Sequence, residues 1–504
     1  MANPQPNQQA QEAASTARIL AAQAFSRTAG APLVPGNSIR LLKDAAENYP
    51  AWLAAIAGAE HLVHFENYII HDDAVGREFA DALIAKAQEG ARVRLLYDWL
   101  GGFGATSRSY CARLREGGVE VRCFNPPRFE SPLGWMNRDH RKSLCVDNRV
   151  AYVSGLCVGQ MWVGYPERGI GPWRDTGVEV RGPAVDDLAR AFARAWAEAG
   201  PALPASELPG PDSIPVAGDV ALRVVASQPA VAGLYRLDQL VAVLARKTLW
   251  LTDAYFVGVS SYVQALRGAA MDGVDVRLLV PGASDIKILG PISRAGYRPL
   301  LEAGVRVFEW NGPMLHAKTA VADRRWARVG SSNLNMASWV GNWELDVVVE
   351  DEAFAGEMEE MYLQDLTGAT EIVLSERNRV RATARPPRPR SSGRRLRGSR
   401  GSTGRLAAGA LGVGNTMGAA ITNRRVLGPA DVKTMTLGGF ALLALAAIVS
   451  LWPLLLVIPL ALLAAWVAIA ILIRAWRLHQ ESRTRAGSDP AAEKINIPHP
   501  TGEP

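Results

Sequence analysis

The chain is poor in the residues that would place it in several common classes. Its 504 residues include four cysteines, Cys111, Cys123, Cys145 and Cys157, all in the first half and without C-x-x-C spacing. That argues against a zinc site and offers no disulfide framework; Cys145 and Cys157 read as buried structural thiols. The N-terminus, MANPQPNQQAQEAASTARILAAQAF, lacks the cationic start and apolar block of a signal peptide, so the folded part is expected to stay in the cytoplasm. Acidic residues are missing between Arg377 and Arg405, where eleven arginines fall. The whole chain carries +6, so the remainder carries 6 less 11, or −5. The basicity is one Pro-, Ser- and Gly-rich segment with the composition of a disordered linker. The rest lacks the cationic surface that binding a nucleic-acid backbone demands, so no nucleic acid is expected as a partner.

Charge is also absent from the 37 residues between Leu437 and Ile473. A single span needs about 20 apolar residues, so the run is too long for one straight helix and slightly short for two with a generous loop. Trp452-Pro453 divides it into arms of about 15 and about 20 residues, and a tight or re-entrant hairpin is expected; the sequence leaves open whether it spans twice. Arg424, Arg425 and Lys433 before it, and Arg474, Arg477, Arg483 and Arg485 after it, place both ends on the cytoplasmic side. The segment Arg377 to Arg405 would gain roughly 1 kcal/mol per cation from anionic lipid and reads as a contact with an anionic membrane surface.

What is present is a duplication. HRKSLCVD carries His140, Lys142 and Asp147, HAKTAVAD carries His316, Lys318 and Asp323, and all three residues recur at one offset of 176 positions. The register continues beyond the motif, Ser154-Gly155-Leu156-Cys157 falling against Gly330-Ser331-Ser332-Asn333. A histidine can attack phosphorus and hold it covalently while a second histidine protonates the leaving oxygen, and one motif from each half supplies both. Two lysines over the non-bridging oxygens would neutralise the charge of the transition state, a task often given to a metal, so neither metal nor cofactor is called for. In a strand, i and i+2 share a face, which puts His140 with Lys142 and His316 with Lys318. Asp147 and Asp323 fall at the turn after each strand, where a carboxylate also caps backbone.

These motifs, with Gly330, Ser332, Asn333 and Glu344, resemble the phospholipase D superfamily, and within it the bacterial cardiolipin synthases. VHFENYIIHDDAVG, FNPPR, TDAYFV and VGSSNLN carry the likeness, over roughly residues 36 to 370. The resemblance implies a phosphohistidine intermediate, with His140 as nucleophile and His316 as general acid. It implies that each histidine is oriented by a carboxylate some thirty residues downstream, Asp175 and Glu344, and that Ser154, Ser332 and Asn333 support the phosphate. The family pattern G-G-x-N is broken after the first motif, where Cys157 replaces the amide.

Strands alternate with amphipathic helices in both halves: strand 61–70, helix 76–89 and strand 92–97 in the first, strand 248–253, helix 260–271 and strand 274–280 in the second. The expected fold is α/β: two similar lobes, each a β-sheet flanked by helices, plus a C-terminal transmembrane or re-entrant helical hairpin. The expected layout is a flexible tail (1–35), a first lobe (36–212), a second lobe (213–372), a basic linker (373–435), a membrane hairpin (436–476) and a tail (477–504). Trp135, Trp162, Trp173, Trp339 and Trp343 lie near the motifs; core packing is the default, with a lipid-interface role for Trp135 and Trp162 if they lie on loops.

Three functions follow. The first is a cardiolipin synthase, transferring phosphatidyl from one phosphatidylglycerol to another at a bacterial inner membrane with its lobes in the cytoplasm. The second is a phospholipase D releasing phosphatidic acid, and the third a membrane-anchored lipid-binding or scaffold protein with a degenerate site. The acceptor (water, glycerol, phosphatidylglycerol or phosphatidylethanolamine), the acyl-chain preference and the oligomeric state are not written in the motifs.

Overall fold

The computed structural model describes residues 23–128, 136–210, 213–283, 289–374, 380–382 and 454–487, with isolated positions between 436 and 451. The first lobe contains β2 (Leu62–Asn67), β3 (Arg92–Asp98), β4 (Glu120–Phe124), β5 (Arg138–Asp139), β6 (Lys142–Val146), β7 (Val150–Ser154) and β8 (Thr176–Arg181), preceded by β1 (Val34–Lys43). The second contains β9 (Val220–Ser227), β10 (Thr248–Thr252), β11 (Asp275–Pro281), β12 (Arg306–Trp310), β13 (Thr319–Ala322), β14 (Trp326–Gly330), β15 (Asn342–Val349), β16 (Ala369–Leu374) and β17 (Val380–Ala382).

The two lobes repeat one topology. In the first, β2, β3 and β4 run parallel, and β6, β7 and β8 follow antiparallel from the other edge of β2. In the second, β10, β11 and β12 run parallel and β13, β14 and β15 follow antiparallel from β10. Parallel neighbours require crossovers. The helices Ala74–Gln88 and Arg108–Glu116 provide them in the first lobe, and Ser260–Met271 and Leu289–Glu302 in the second. Asp73 and Ser107 cap the first two by accepting from Gly76 N and Tyr110 N. Phe79 and Leu83 of the first helix are buried in the core with Trp52 and Phe65.

The sheets are not separate. β1 pairs with β8 on one side and β9 on the other, and β9 pairs with β15, so the two sheets join edge to edge. Beneath the junction one apolar cluster takes Val153 and Val178 from the first lobe and Val329, Leu345 and Met358 from the second.

Three expected boundaries change. Residues 23–29 are helical, Ala29 and Ala31 are buried in the second-lobe core, and Arg223 donates to Ser26, so this part of 1–35 is no flexible tail. Chain that buries apolar surface on a core loses the freedom of a tail. The second lobe does not end at 372, because β17 pairs with β16 through Ala382. At the C-terminus the second arm forms a helix, as expected, but it continues beyond 476 as Leu454–Gly487; Val457–Arg477 is long and apolar enough to cross a membrane. Trp452-Pro453, Trp135, and the arginine segment except 380–382 lie outside the described residues.

Asp147 and Asp323 act on the fold. Each takes a positive φ in a two-residue hairpin turn, closed by Arg149 N donating to Val146 O and Arg325 N to Ala322 O. Asp147 accepts from Glu60 N, His61 N and Leu62 N, at 2.8 Å each, and Asp323 from Arg246 N, Lys247 N and Thr248 N, at 2.7–2.9 Å. The catalytic assignment of these two residues is therefore corrected. Five residue steps along the strand, roughly 17 Å, separate Asp147 from Lys142, so its carboxylate ties the start of β2 to the far end of β6. Asp147→Ala and Asp323→Ala should each cost about 1–2 kcal/mol, seen calorimetrically as a lower Tm, while turnover per folded molecule stays close to normal.

Candidate active site

His140 and His316 do not lie on strands as expected. Each stands on the irregular segment leading into its strand, His140 between β5 and β6 and His316 just before β13. The reason is that the chain is pairing with the other lobe at these points. β5 pairs in parallel with Asn342 and Trp343, and His140 N donates to Trp343 O at 2.9 Å. Leu315 bridges Arg174, and His316 N donates to Arg174 O at 2.7 Å.

The next residue in each opposing strand is the carboxylate, so the orienting pairs are crossed. His140 Nδ1 lies 3.0 and 3.1 Å from the Glu344 carboxylate oxygens, and His316 Nδ1 lies 2.7 Å from Asp175 Oδ2. An ionised carboxylate only accepts, so each Nδ1 carries the hydrogen and each Nε2 keeps its lone pair. The expected partners are the right residues, each serving the histidine of the other lobe and not the one upstream of it.

Both carboxylates are held in turn. Glu344 accepts from Ser331 Oγ at 2.5 Å and Asn342 Nδ2 at 3.1 Å. Asp175 accepts from Trp162 Nε1 at 3.0 Å and Thr176 N at 2.9 Å. Trp162 is buried and sets its ring edge-on to His316, so it belongs to the site and not to a lipid interface; Trp173 packs on the same imidazole. Tyr68 and Tyr255 stand edge-on to His140 and His316. Sequence reasoning missed Ser331, Trp162 and Asn342. Ser331 was within reach, because the 176-residue offset matches it with Gly155, where a β-carbon would lie 2.1 Å from Asp175 Oδ1.

The phosphate-support residues separate. Ser154 Oγ accepts from Leu156 N, and Ser332 donates to Asp346 beside Arg328. The Ser332 hydroxyl spends its hydrogen on Asp346, which corrects its assignment, whereas Ser154 only accepts and keeps its hydrogen to donate. Asn333 is buried and its Oδ1 has no hydrogen-bond partner among the described residues. Its loop is fixed, with Asn333 N donating to Ser338 Oγ and Leu334 N to Asp253 Oδ1.

Lys142 and Lys318 each donate to the carbonyl of their own motif histidine. Burial brings His140 down to about 4, against the pull of Glu344. Burial and the neighbouring Lys318 ammonium, 3.0 Å from Nδ1, bring His316 down to about 3. Both imidazoles are neutral near pH 7, unlike the mixed state needed for one base and one acid. Burial also lowers Lys318 to about 8, with Asp175 opposing and Lys142 assisting. Among the described residues no three His, Cys, Asp or Glu side chains gather as a metal-holding group.

A two-lobed fold with one histidine and one lysine per lobe meeting where the lobes pair defines a phospholipase D-like enzyme. The family described as "Cardiolipin synthase, PLD-like domain" matches residues 52–159 and 242–366. The chain is 33% identical over 348 residues to the cardiolipin synthase of Alkalihalophilus pseudofirmus, covering 68% of this chain and 69% of that protein. It is 35% identical over 370 residues to cardiolipin synthase A of Pseudomonas aeruginosa, covering 71% and 73%. Among solved structures, phosphatidylserine synthase from Haemophilus influenzae shares the fold, with a TM-score of 0.56 at 14% identity over 69% of this chain and 91% of that one. The chain belongs to the cardiolipin synthase family of phospholipase D-like enzymes.

Two outcomes follow from the electrostatics. Glu344→Gln and Asp175→Asn keep the volume but remove the charge that fixes the tautomer, and turnover should fall roughly 100- to 10,000-fold with little change in Tm. Because Lys318 loses its proton as pH rises through about 8, kcat/KM should decline above that pH. Lys318→Arg, which stays charged, should move the decline upward in a pH-rate profile.

Proposed function

We propose that the protein makes cardiolipin from two molecules of phosphatidylglycerol, with His140 as nucleophile and His316 as acid and base. The observation that carries this reading is the crossed pairing, which leaves two imidazoles with Nδ1 engaged and Nε2 available at one buried site. His140 Nε2 forms a bond to phosphorus as the P–O bond to glycerol breaks, and the glycerol oxygen takes a proton from His316. The hydroxyl of the second phosphatidylglycerol then returns a proton to His316, bonds to phosphorus and releases His140. Since burial leaves His316 neutral in the empty site, its proton is taken up with the substrate, whose anionic phosphodiester favours the imidazolium. Lys142, Lys318 and Asn333 would face the non-bridging oxygens.

The same reading places the protein at a bacterial inner membrane, held by the apolar helix within Leu454–Gly487, with both lobes in the cytoplasm. The proposed layout is a first lobe from β1 to about 212, a second to 382 including residues 23–33, a basic linker meeting anionic lipid through Arg377 to Arg405, and a membrane segment over 436–476.

Mass spectrometry of lipid products from phosphatidylglycerol vesicles tests the acceptor: cardiolipin with free glycerol is expected, and phosphatidic acid as the sole product would replace this reading with hydrolysis. His140→Ala and His316→Ala should each abolish turnover and the double variant should be little worse, as expected of groups that act as a unit. With lysines countering the charge, activity should survive EDTA.

A further inference from the structure

The two halves of the site differ at the groups beside their lysines. Cys157 stands where the second half has Asn333, and burial holds its thiol above the ordinary range despite Lys142 and Lys318 nearby. The first half thus offers a neutral thiol, a weak donor, where the second offers an amide.

Strand β2 brings an amide to the same place. Asn67 is directly opposite Lys142 in the antiparallel β2–β6 pair. Opposed residues of such a pair project from one face with β-carbons about 4.5–5.5 Å apart, so the Asn67 side chain lies alongside that of Lys142. Asn67 is fully buried, yet neither Nδ2 nor Oδ1 has a hydrogen-bond partner among the described residues. A dry, unbonded amide costs stability unless something else uses it. The second lobe shows the contrast. Thr252 is opposite Thr319, and the same register carried one residue on sets Asp253 against Lys318. Asp253 is committed to the fold, accepting from Leu334 N at 2.8 Å and Tyr255 N at 3.1 Å. Asn67, its counterpart, has no such task. The chain next to it is also the chain that carries Cys157: Val158 N donates to Ile69 O, and Ile70 bridges Val158.

We propose that Asn67 is a phosphate-binding residue of this site, its Nδ2 donating to a non-bridging oxygen of the phosphodiester at Lys142 in place of the amide that Cys157 does not supply. This rests on the reading of the site as one that binds a phosphodiester, and it names the group that restores two amides, Asn67 and Asn333, around one phosphate.

The test compares full-length wild type with Asn67→Leu in detergent, using bis(p-nitrophenyl) phosphate as substrate and inorganic phosphate as competitor. A leucine of similar volume removes an unsatisfied amide, so Tm should hold or rise. By contrast kcat/KM should fall about 10- to 100-fold and the inhibition constant for phosphate should rise by about 10-fold, as for loss of one hydrogen bond to a charged group. Adding Cys157→Asn to Asn67→Leu should recover part of the loss. Wild-type kcat/KM and phosphate inhibition in Asn67→Leu would overturn the proposal. Should that variant not fold, Asn67→Asp, which mimics the Asp253 arrangement, should show the same loss, and wild-type values there would overturn it equally. The probe is no lipid, so a chain that cleaves it without making cardiolipin contradicts the acceptor assignment and leaves the role of Asn67 to be decided by these values.

Discussion

An imidazole that is to attack phosphorus has to offer one nitrogen while the other is fixed, and in this chain the fixing group always comes from the opposite lobe. Glu344 holds His140 and Asp175 holds His316, each through the residue that follows a backbone contact between the lobes. Much of the architecture keeps these contacts in register. β1 and β9 join the two sheets. Arg174, just before Asp175, makes two hydrogen bonds to the Asp365 carboxylate at 2.8 and 2.9 Å and one to Asp44 at 3.1 Å, tying the carboxylate's strand to the second lobe. A duplicated half-site of this kind works only as a pair, because each half lacks its own orienting acid.

Burial gives the site its chemistry. Two histidines, two lysines and two carboxylates are buried together, and desolvation lowers both histidines and Lys318. With both histidines neutral, the two carboxylates offset the two lysines in the empty site. A phosphodiester adds one negative charge, which the imidazolium form of the acid would balance, so substrate binding and protonation of the acid become linked equilibria.

The alternation of strands and helices was readable because β2, β3, β10 and β11 and their crossover helices carry strong periodicity, and the helix Ser260–Met271 falls where its pattern places it. The six motif residues were readable from the repeat, and both carboxylates only through the family resemblance, since Asp175 and Glu344 are 169 positions apart and fall outside the 176-residue offset. Periodicity along the chain says nothing about which lobe a residue meets, so the crossing of the pairs was hidden, and so was the interruption of the strands at His140 and His316 that the crossing causes. Asp147 and Asp323 share the spacing of the motif without sharing its site, since a hairpin turn at the end of each strand needs a residue that tolerates positive φ and caps backbone. Ser331 and Trp162 act on the carboxylates, one step from the motif chemistry, and Asn67 looked like any polar residue near the end of a buried strand.

In the proposed mechanism one covalent adduct forms on His140, at a site shared by both lobes. Wild-type protein turning over phosphatidylglycerol can be quenched in alkali, which preserves phosphohistidine, digested, and the peptides read by mass spectrometry. A phosphatidyl or phosphoryl adduct is expected on the peptide containing His140 and none on the peptide containing His316. An adduct on His316 alone would reverse the assignment, and turnover with no adduct on either peptide would contradict the covalent mechanism.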